Sequence, residues 1–482
     1  MIANFWKAAY KVINRTNTVL GRIDGIEINT ELANRYKLEC KFIRALMYFN
    51  LVRVYGDVPL ILKEISISES YDILREPKEN VYNQIIADLK EAQDLPVSYS
   101  TAEDGRATQG AAKALLANVY MTLHKYAEAE TILAEIINSG RYSLLENTPG
   151  SLNIDGYKNV FSPVNHNSKE GIFEIQFLKG GYGEGSNYAN NFAPENSGTN
   201  VVAVGGTGGN NIPEMDIYNA YEEGDLRRDF SMSLGYYDNR KNNEWVESRY
   251  VCKFMDVPYQ NNDASNNYPV IRYAEVLLNW IEAKAELATL GGPAVIQTDI
   301  DESINKIRNR PIAEEAKALG VVKTADMKLD ALPDDPGRDV TVSPLLWEIR
   351  RERRMEFAFE FSRIVDLRRW KKLEYMDTDR NQDLLVGTWV NFKDEVPEEL
   401  KSENSRKIRV MGKDGSLTVY DGTNAAAMKG FFYPEQNKGR LPFLNVPNVN
   451  PYLSPIGINQ IEDYKSRGYT LTQTEGWPAS LN

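Results

Sequence analysis

Four glutamates at four-residue spacing, Glu348, Glu352, Glu356 and Glu360, run through EIRRERRMEFAFEFSRIVDLRRW (348–370), which also holds seven arginines. Three chemistries suit such a stretch: phosphate binding by the arginines, acid–base work by the carboxylates, or mutual neutralisation. Phosphate binding fits badly, because five acidic residues answer most of the seven arginines and a row of glutamates repels a nucleic-acid backbone. General acid catalysis fits no better. A carboxylate beside a guanidinium is held ionised, the wrong direction for a proton donor near neutral pH. Arg351, Arg353 and Arg363 lie three residues from Glu348, Glu356 and Glu360, so the charges are expected to pair within the helix or with its neighbours. Phe357, Phe361, Ile364 and Val365 form an apolar stripe that assigns the other side of this helix to a core.

Other chemistries have little to draw on. Cys40, Cys252, His124 and His166 are the whole complement of cysteine and histidine, which excludes a disulfide scaffold and leaves a zinc site or a histidine-dependent triad almost without material. Cys40, inside the helical pattern LECKFIRALMYFNLV, reads as a buried free thiol. The glycines of 179–211 make no phosphate cradle: GxxxxGK[ST] does not occur, and none of them follows a strand and opens a helix. No cofactor and no metal is called for, and calcium on loop carboxylates has no motif behind it. A net charge of −12 argues against general attraction to nucleic acid or anionic lipid. No apolar run approaches the ~20 residues of a membrane helix.

Most of the first 140 residues have helical periodicity, with apolar positions recurring in 4–20, 36–55, 79–94, 108–123 and 126–138. In GAAKALLANVYMTLHKYAEAETILAEIINSG, the small residues Ala111, Ala112, Ala114 and Ala117 admit a neighbouring helix, and Leu115, Leu116 and Tyr120 fill the gap. A short turn at His124 and Lys125 then starts the next helix, which is the grammar of a degenerate tetratricopeptide unit. The texture changes over about 141–269. KEGIFEIQF (169–177) alternates like a strand, and 179–211 is a long Gly- and Asn-rich stretch with three embedded aromatics, a functional loop rather than a linker. Helices return at 271–290, 299–309 and 344–370. Over about 371–455 only short β-like runs, 406–411 and 416–420, flank an Asp-Gly turn signal. At 482 residues the chain exceeds the ~250–300 at which one core stops growing. The pattern predicts one domain of mainly α class: a scaffold of tetratricopeptide-like helical pairs over about 1–140, 270–310 and 344–370, with loop-rich, partly β excursions at about 141–269 and 371–455.

The segment ERRMEFAFEFSRIVDLRRW resembles the most diagnostic stretch of the SusD/RagB family of Bacteroidetes, a run of the type ERR-x-EF-x-x-E followed by R-x-x-DL-x-RW. Other landmarks agree in order. KLECKFIRALMYFNLVRVYGDVPLIL (37–62) is similar to the family's long helix with its Gly-Asp-Val-Pro-Leu turn, and GRATQGAAKALLANVYM (105–121) to its Gly-Arg-x-Thr-x-Gly-Ala-Ala helix start. RYAEVLLNWIEAKAEL and INKIRNR resemble the helices that follow. The closing YLSPIGINQIEDYKSRGYTLTQTEGW (452–477) resembles the terminal Pro-Ile-Pro motif, from which Ser454-Pro455-Ile456-Gly457 departs. The family pattern begins with a signal peptide, a lipidated cysteine and a further stretch ahead of the part that FWKAAYKVINRTN resembles, so the chain is expected to lack that front.

The resemblance implies a SusD-like, non-enzymatic glycan-binding lipoprotein facing outward from the outer membrane. It would capture oligosaccharide and deliver it to a SusC-type TonB-dependent transporter, touching the membrane only through an N-terminal lipid anchor. Sugar recognition uses aromatic faces and amide or guanidinium groups. The family's ligand surface draws on the loop that corresponds to 180–212, which nominates Tyr182, Tyr188, Phe192 and Asn211, with Tyr236, Tyr237 and Trp245 as neighbours. Two rival classes are a glycoside hydrolase with two carboxylates ~5–9.5 Å apart and a tetratricopeptide-type scaffold that binds protein only.

Overall fold

The computed structural model describes residues 2–145, 156–181, 183–188, 213–222, 224–238, 244–254, 263–311, 314, 323–377, 389–395, 409–412, 416–433, 444, 446 and 449–478. Helices α1 (Ile2–Arg22), α2 (Thr30–Tyr55), α3 (Lys78–Ala92), α4 (Gln109–Thr122) and α5 (Tyr126–Asn138) occupy the periodic stretches of the first part, each packed on the next. α2 begins earlier than its apolar period because Asn29 caps it: Oδ1 accepts from Glu31 N at 2.8 Å and from Leu32 N at 3.2 Å. A buried bidentate pair ties the first three together. Arg44 of α2 donates twice to Asp88 of α3, each at 2.8 Å, and once to Asn17 Oδ1 of α1 at 2.9 Å.

The α4–α5 pair is built as its sequence requires. Thr108 Oγ1 accepts from Ala111 N at 3.2 Å and starts α4, whose small face of Ala111, Ala112, Ala114 and Ala117 is buried along with Leu115, Leu116 and Tyr120. At the far end His124 takes the left-handed conformation (φ 58°). Lys125 N then reaches back to Tyr120 O at 2.9 Å and His124 N to Met121 O at 3.2 Å, the double bond that closes a helix C-terminus. The turn feeds α5 directly, so the tetratricopeptide-like pairing is present.

Strand β1 (Gly171–Ile175) pairs antiparallel with β4 (Tyr268–Arg272), and between them in sequence lies the hairpin β2 (Met232–Asp238)–β3 (Glu244–Val251). β4 runs straight into α6 (Tyr273–Thr289), which packs on α5 and on α9 (Pro344–Glu356). The helix expected over 299–309 is two, α7 (Gln297–Asp301) and α8 (Ile304–Arg308), parted where Ser303 leaves helical geometry (φ −125°, ψ −87°) and bonds back to Asp299 O at 2.6 Å. After α10 (Ser362–Arg369), strands β5 (Trp389–Asn391), β6 (Arg409–Met411), β7 (Leu417–Val419) and β8 (Lys429–Tyr433) form an antiparallel sheet of order β5-β8-β6-β7. β6 and β7 are the two β-like runs read from the sequence. They cover a small core of Phe392, Val410, Tyr420 and Met428.

The closing segment folds back on the Gly-Asp-Val-Pro turn. Ser454 N donates to Val54 O at 2.6 Å, and Leu453 rests against Gly56, whose left-handed φ of 71° and lack of a side chain permit the approach. The main buried cluster accordingly draws on both ends of the chain, from Trp6 to Leu471. Cys40 is free but half-buried rather than buried, and burial pushes its thiol up to about 11. Among the described residues no helix is long and apolar enough to cross a membrane.

Leu115 is almost fully buried where α4 meets its neighbours. Leu115→Ala is expected to cost about 2–5 kcal/mol in denaturant unfolding, through lost burial plus the cavity it leaves.

Candidate functional site

The arginine-rich stretch is not one helix. α9 ends at Glu356, residues 357–361 form a tight turn, and α10 starts at Ser362. Phe359 (φ 65°) and Phe361 (φ 60°) both take the left-handed conformation, which costs a non-glycine residue on the order of 1 kcal/mol or more. The apolar stripe therefore breaks. Phe357 is buried and Ile364 and Val365 are half-buried, but Phe361 is 63% exposed. The pairing also differs from the i, i+3 expectation. Arg351 does meet Glu348 at 3.2 Å, whereas Arg353 turns to Asp366 at 3.1 Å and Arg363 lies 6.0 Å from the centroid of the Trp370 ring.

Most of the glutamates are answered from elsewhere in the chain. Glu356 accepts from Arg272 at 2.7 Å, Arg310 at 3.0 Å and Arg227 at 3.1 Å. Glu352 takes Arg227 at 2.6 Å and Arg308 at 2.8 Å, and Glu360 takes Lys253 at 2.5 Å and Arg272 at 2.8 Å. Asp225 and Glu170 complete a buried network in which acids and bases are equal in number. Burial alone would raise the Glu356 carboxyl, but Arg272, Arg310 and Arg227 outweigh it and hold the group well below the carboxylate range. A second knot joins α6 to α10: Arg369 clamps Glu282 with bonds of 2.6 and 2.7 Å, and Arg353 and Trp370 approach the same carboxylate. Burial raises Glu282 as well, yet Arg369 and Arg353 bring it down to about 2.

Side chains also satisfy the carbonyls freed where α9 stops. Tyr221 donates to Met355 O at 2.8 Å, Tyr157 and Arg272 to Glu356 O at 2.9 Å each, and Tyr188 to Phe359 O at 2.6 Å. Tyr268 reaches Glu360 O at 2.7 Å, while Lys253 Nζ bonds Glu356 O and Ala358 O, each at 3.0 Å. Tyr188 belongs to the 179–211 loop, and the other donors flank that loop and the β2–β3 hairpin in sequence. The turn is thus the anchor for both.

The base of that loop is pinned. Asp263 accepts from Gly180 N and Gly181 N at 3.1–3.2 Å, and Ser186 pairs with Ala264 through bonds of 2.7 and 3.1 Å. Of the residues nominated from sequence, Tyr182, Phe192 and Asn211 lie outside the described residues. Tyr236 and Tyr237 are on β2 and Trp245 on β3, where Tyr237 stands directly opposite Trp245 and Tyr236 opposite Val246. Tyr188 has a packing environment: its ring sits 4.4 Å from Phe254, 5.7 Å from Phe361 and 6.0 Å from Tyr268, and burial raises its hydroxyl strongly. Sequence reasoning missed Arg227, Lys253, Arg272, Arg308 and Arg310. One signal was available for Arg272, a lone cation in the apolar run YPVIRYAEVLL.

Comparison with known proteins decides the family. The model of the SusD family matches residues 227–477, more than half of the chain, and one described as "Starch-binding associating with outer membrane" matches residues 1–121. The chain belongs to the SusD family. It is 28% identical over 397 residues to SusD-like protein P2 of Formosa agariphila, covering 77% of this chain and 72% of that one. A SusD superfamily structure from Parabacteroides distasonis superposes with a TM-score of 0.66 at 25% identity, over 99% of this chain and 86% of that one. A laminarin-binding SusD-like protein gives a TM-score of 0.59 at 25% identity, with 80% and 82% covered. This SusD-family chain is accordingly a member of a carbohydrate-binding, outer-membrane-associated family with a tetratricopeptide-like helical fold.

Two predictions follow from the network in this SusD-like scaffold. Glu356→Gln leaves three buried guanidiniums short of a charge, so it is expected to lower stability by roughly 3–5 kcal/mol, read by denaturant unfolding. Glu282, whose folded pKa lies below its unfolded value near 4.5, contributes stability that is complete above about pH 4.5 and lost as pH falls toward 2. Unfolding free energy measured across that window should drop by on the order of 3 kcal/mol more in the parent than in Glu282→Gln.

Proposed function

We propose that this chain captures oligosaccharides at the cell surface and hands them to a SusC-type TonB-dependent transporter, acting as an outward-facing lipoprotein without a catalytic step of its own. The observation that carries this reading is the family match, which spans both ends of the chain. The solved neighbour that binds laminarin supports saccharide as the ligand class. The fold supplies a physical rationale: an aromatic-bearing hairpin and a long Gly- and Asn-rich loop spring from a buried, fully charged anchor. Binding loops on a rigid base are the usual arrangement for recognition.

Tyr182, Phe192 and Asn211 of the loop and Tyr236, Tyr237 and Trp245 of the hairpin are the proposed ligand contacts. Tyr188 stands apart, since its hydroxyl holds Phe359 O and its ring fills an aromatic cluster. A glycine-rich loop loses entropy on ordering, so affinity for a small saccharide is expected on the order of micromolar to millimolar. A hydrolase reading gains nothing from Glu356, because a carboxyl held ionised beneath three guanidiniums cannot serve as the acid.

Calorimetry and product analysis with a panel of neutral oligosaccharides test the proposal. Saturable binding without products is expected; turnover points to an enzyme, and no binding to any saccharide removes the reading. The two tyrosines should separate. Tyr182→Ala is expected to weaken binding with the melting temperature unchanged, whereas Tyr188→Ala should lower the melting temperature by several degrees, since a half-buried aromatic contributes on the order of 1–3 kcal/mol.

A further inference from the structure

A cleft of about 230 Å³ opens between the 97–108 loop, the start of α4 and the two segments 141–142 and 167–174, with a lining that shares no residue with the proposed loop and hairpin contacts. Its walls combine Tyr99, Tyr142 and Phe173 with Arg106, Arg141 and Lys169. The segments are held side by side: Ser143 N donates to Lys169 O at 3.2 Å, and Leu145 N to the Glu170 carboxylate at 2.7 Å. Gly110 leaves room for the Tyr142 hydroxyl, which a side chain at that position would displace.

Of the three cations that line the cleft, one is paired with acids and, among the described residues, two are not. Arg106 is matched by Glu39 at 2.7 Å and Glu103 at 3.4 Å, and Arg35 shares both acids. Glu174 is buried and accepts from Asn167 N at 3.1 Å and Asn267 Nδ2 at 2.9 Å. Asp104 is the remaining acid of the lining and is exposed on the loop. Arg141 and Lys169 are exposed, and among the described residues neither makes an ion pair. On a chain of net charge −12, two exposed cations without an ion pair on one concavity, with Glu174 buried behind it, offer an anion a local attraction that the chain's overall charge does not. Its volume falls short of the ~300–1,000 Å³ of pockets for larger ligands, which suits a single sugar ring.

We propose that this cleft is a second saccharide subsite, specific for an acidic sugar whose carboxylate or sulfate lies between Arg141 and Lys169. The sugar part of the proposal rests on the glycan-capture reading; the anion part rests on the cleft alone. Guanidinium and ammonium donors bind such a group by charge-assisted hydrogen bonds, while Tyr99, Tyr142 and Phe173 offer apolar surface to the ring. The effect would be to hold acidic glycans that a surface of aromatics and amides alone binds no better than neutral ones.

The test is calorimetry at ~0.01 M ionic strength, where exposed charges are little screened, with an α-1,4-linked tetragalacturonate and its fully methyl-esterified form. The parent is expected to bind the charged tetramer at least about tenfold more tightly than the ester. In Arg141→Gln/Lys169→Gln, that preference should vanish while the melting temperature and the affinity for neutral oligosaccharides stay the same. Equal affinity of the parent for the two tetramers, or a preference that survives the double substitution, overturns the subsite and leaves glycan capture standing. Failure of every saccharide, charged or neutral, to bind the parent overturns both, even where inorganic sulfate still binds at Arg141 and Lys169.

Discussion

Glu356 is fully buried and shared by three guanidiniums, and the placement of the segments that carry them depends on that arrangement. Taking a carboxylate out of water costs several kcal/mol, which is recovered only if the surrounding donors are complete and well aimed. The requirement is collective. Arg227 arrives from the helix before the hairpin, Arg272 from the end of β4 and Arg310 from just past α8, so one carboxylate fixes three parts of the chain that lie far apart in sequence. Because acids and bases in this network balance, displacing any one element strands a charge. Mispacked arrangements are therefore penalised more heavily than an apolar core would penalise them.

The same constraint explains why α9 stops where it does. A continued helix would satisfy the carbonyls of 355–360 internally and turn Glu360 away from Lys253 and Arg272. In the observed turn those carbonyls instead accept from tyrosine, lysine and arginine side chains, and the cations sit at the negative end of the α9 dipole. Two left-handed phenylalanines are the cost, offset by at least six side-chain hydrogen bonds to the carbonyls of 355–360. Phe361 is left exposed beside Tyr188 as a consequence of this geometry rather than of local propensity.

What could be read from the sequence follows the range of the forces involved. The helices of the first part were legible because apolar residues recur along each at helical spacing, and the α4–α5 turn because alanine spacing and a short connection are local features. Asn29 shows a local signal overlooked, an Asn cap just ahead of Thr-Glu that extends α2. The break at 357–361 was not legible: i, i+4 spacing of Glu352, Glu356 and Glu360 is good helix grammar, and it is overridden by cations up to 129 residues away in sequence. Arg308 and Arg310 look like ordinary solvated arginines until the fold brings them to Glu352 and Glu356. Family membership was legible from ordered motifs. Three of the nominated contacts, Tyr182, Phe192 and Asn211, fall outside the described residues, and Tyr188 is placed by packing that no residue pattern in its loop announces.

Two kinds of charge thus coexist on this chain and do different work. The buried pairs are shielded from water and counterions, so they are insensitive to salt, and with Glu356 and Glu282 held far below neutral pH they stay ionised throughout the physiological range. Such charges can hold a scaffold but cannot greet a ligand, because they are buried and their donors, Arg310 Nε apart, are already engaged. Exposed and unmatched cations such as Arg141 and Lys169 are the reverse: they contribute little to folding, are screened by salt and remain available. On this scaffold the cations of an open cleft can therefore be exchanged without disturbing the balance of charge at Glu356.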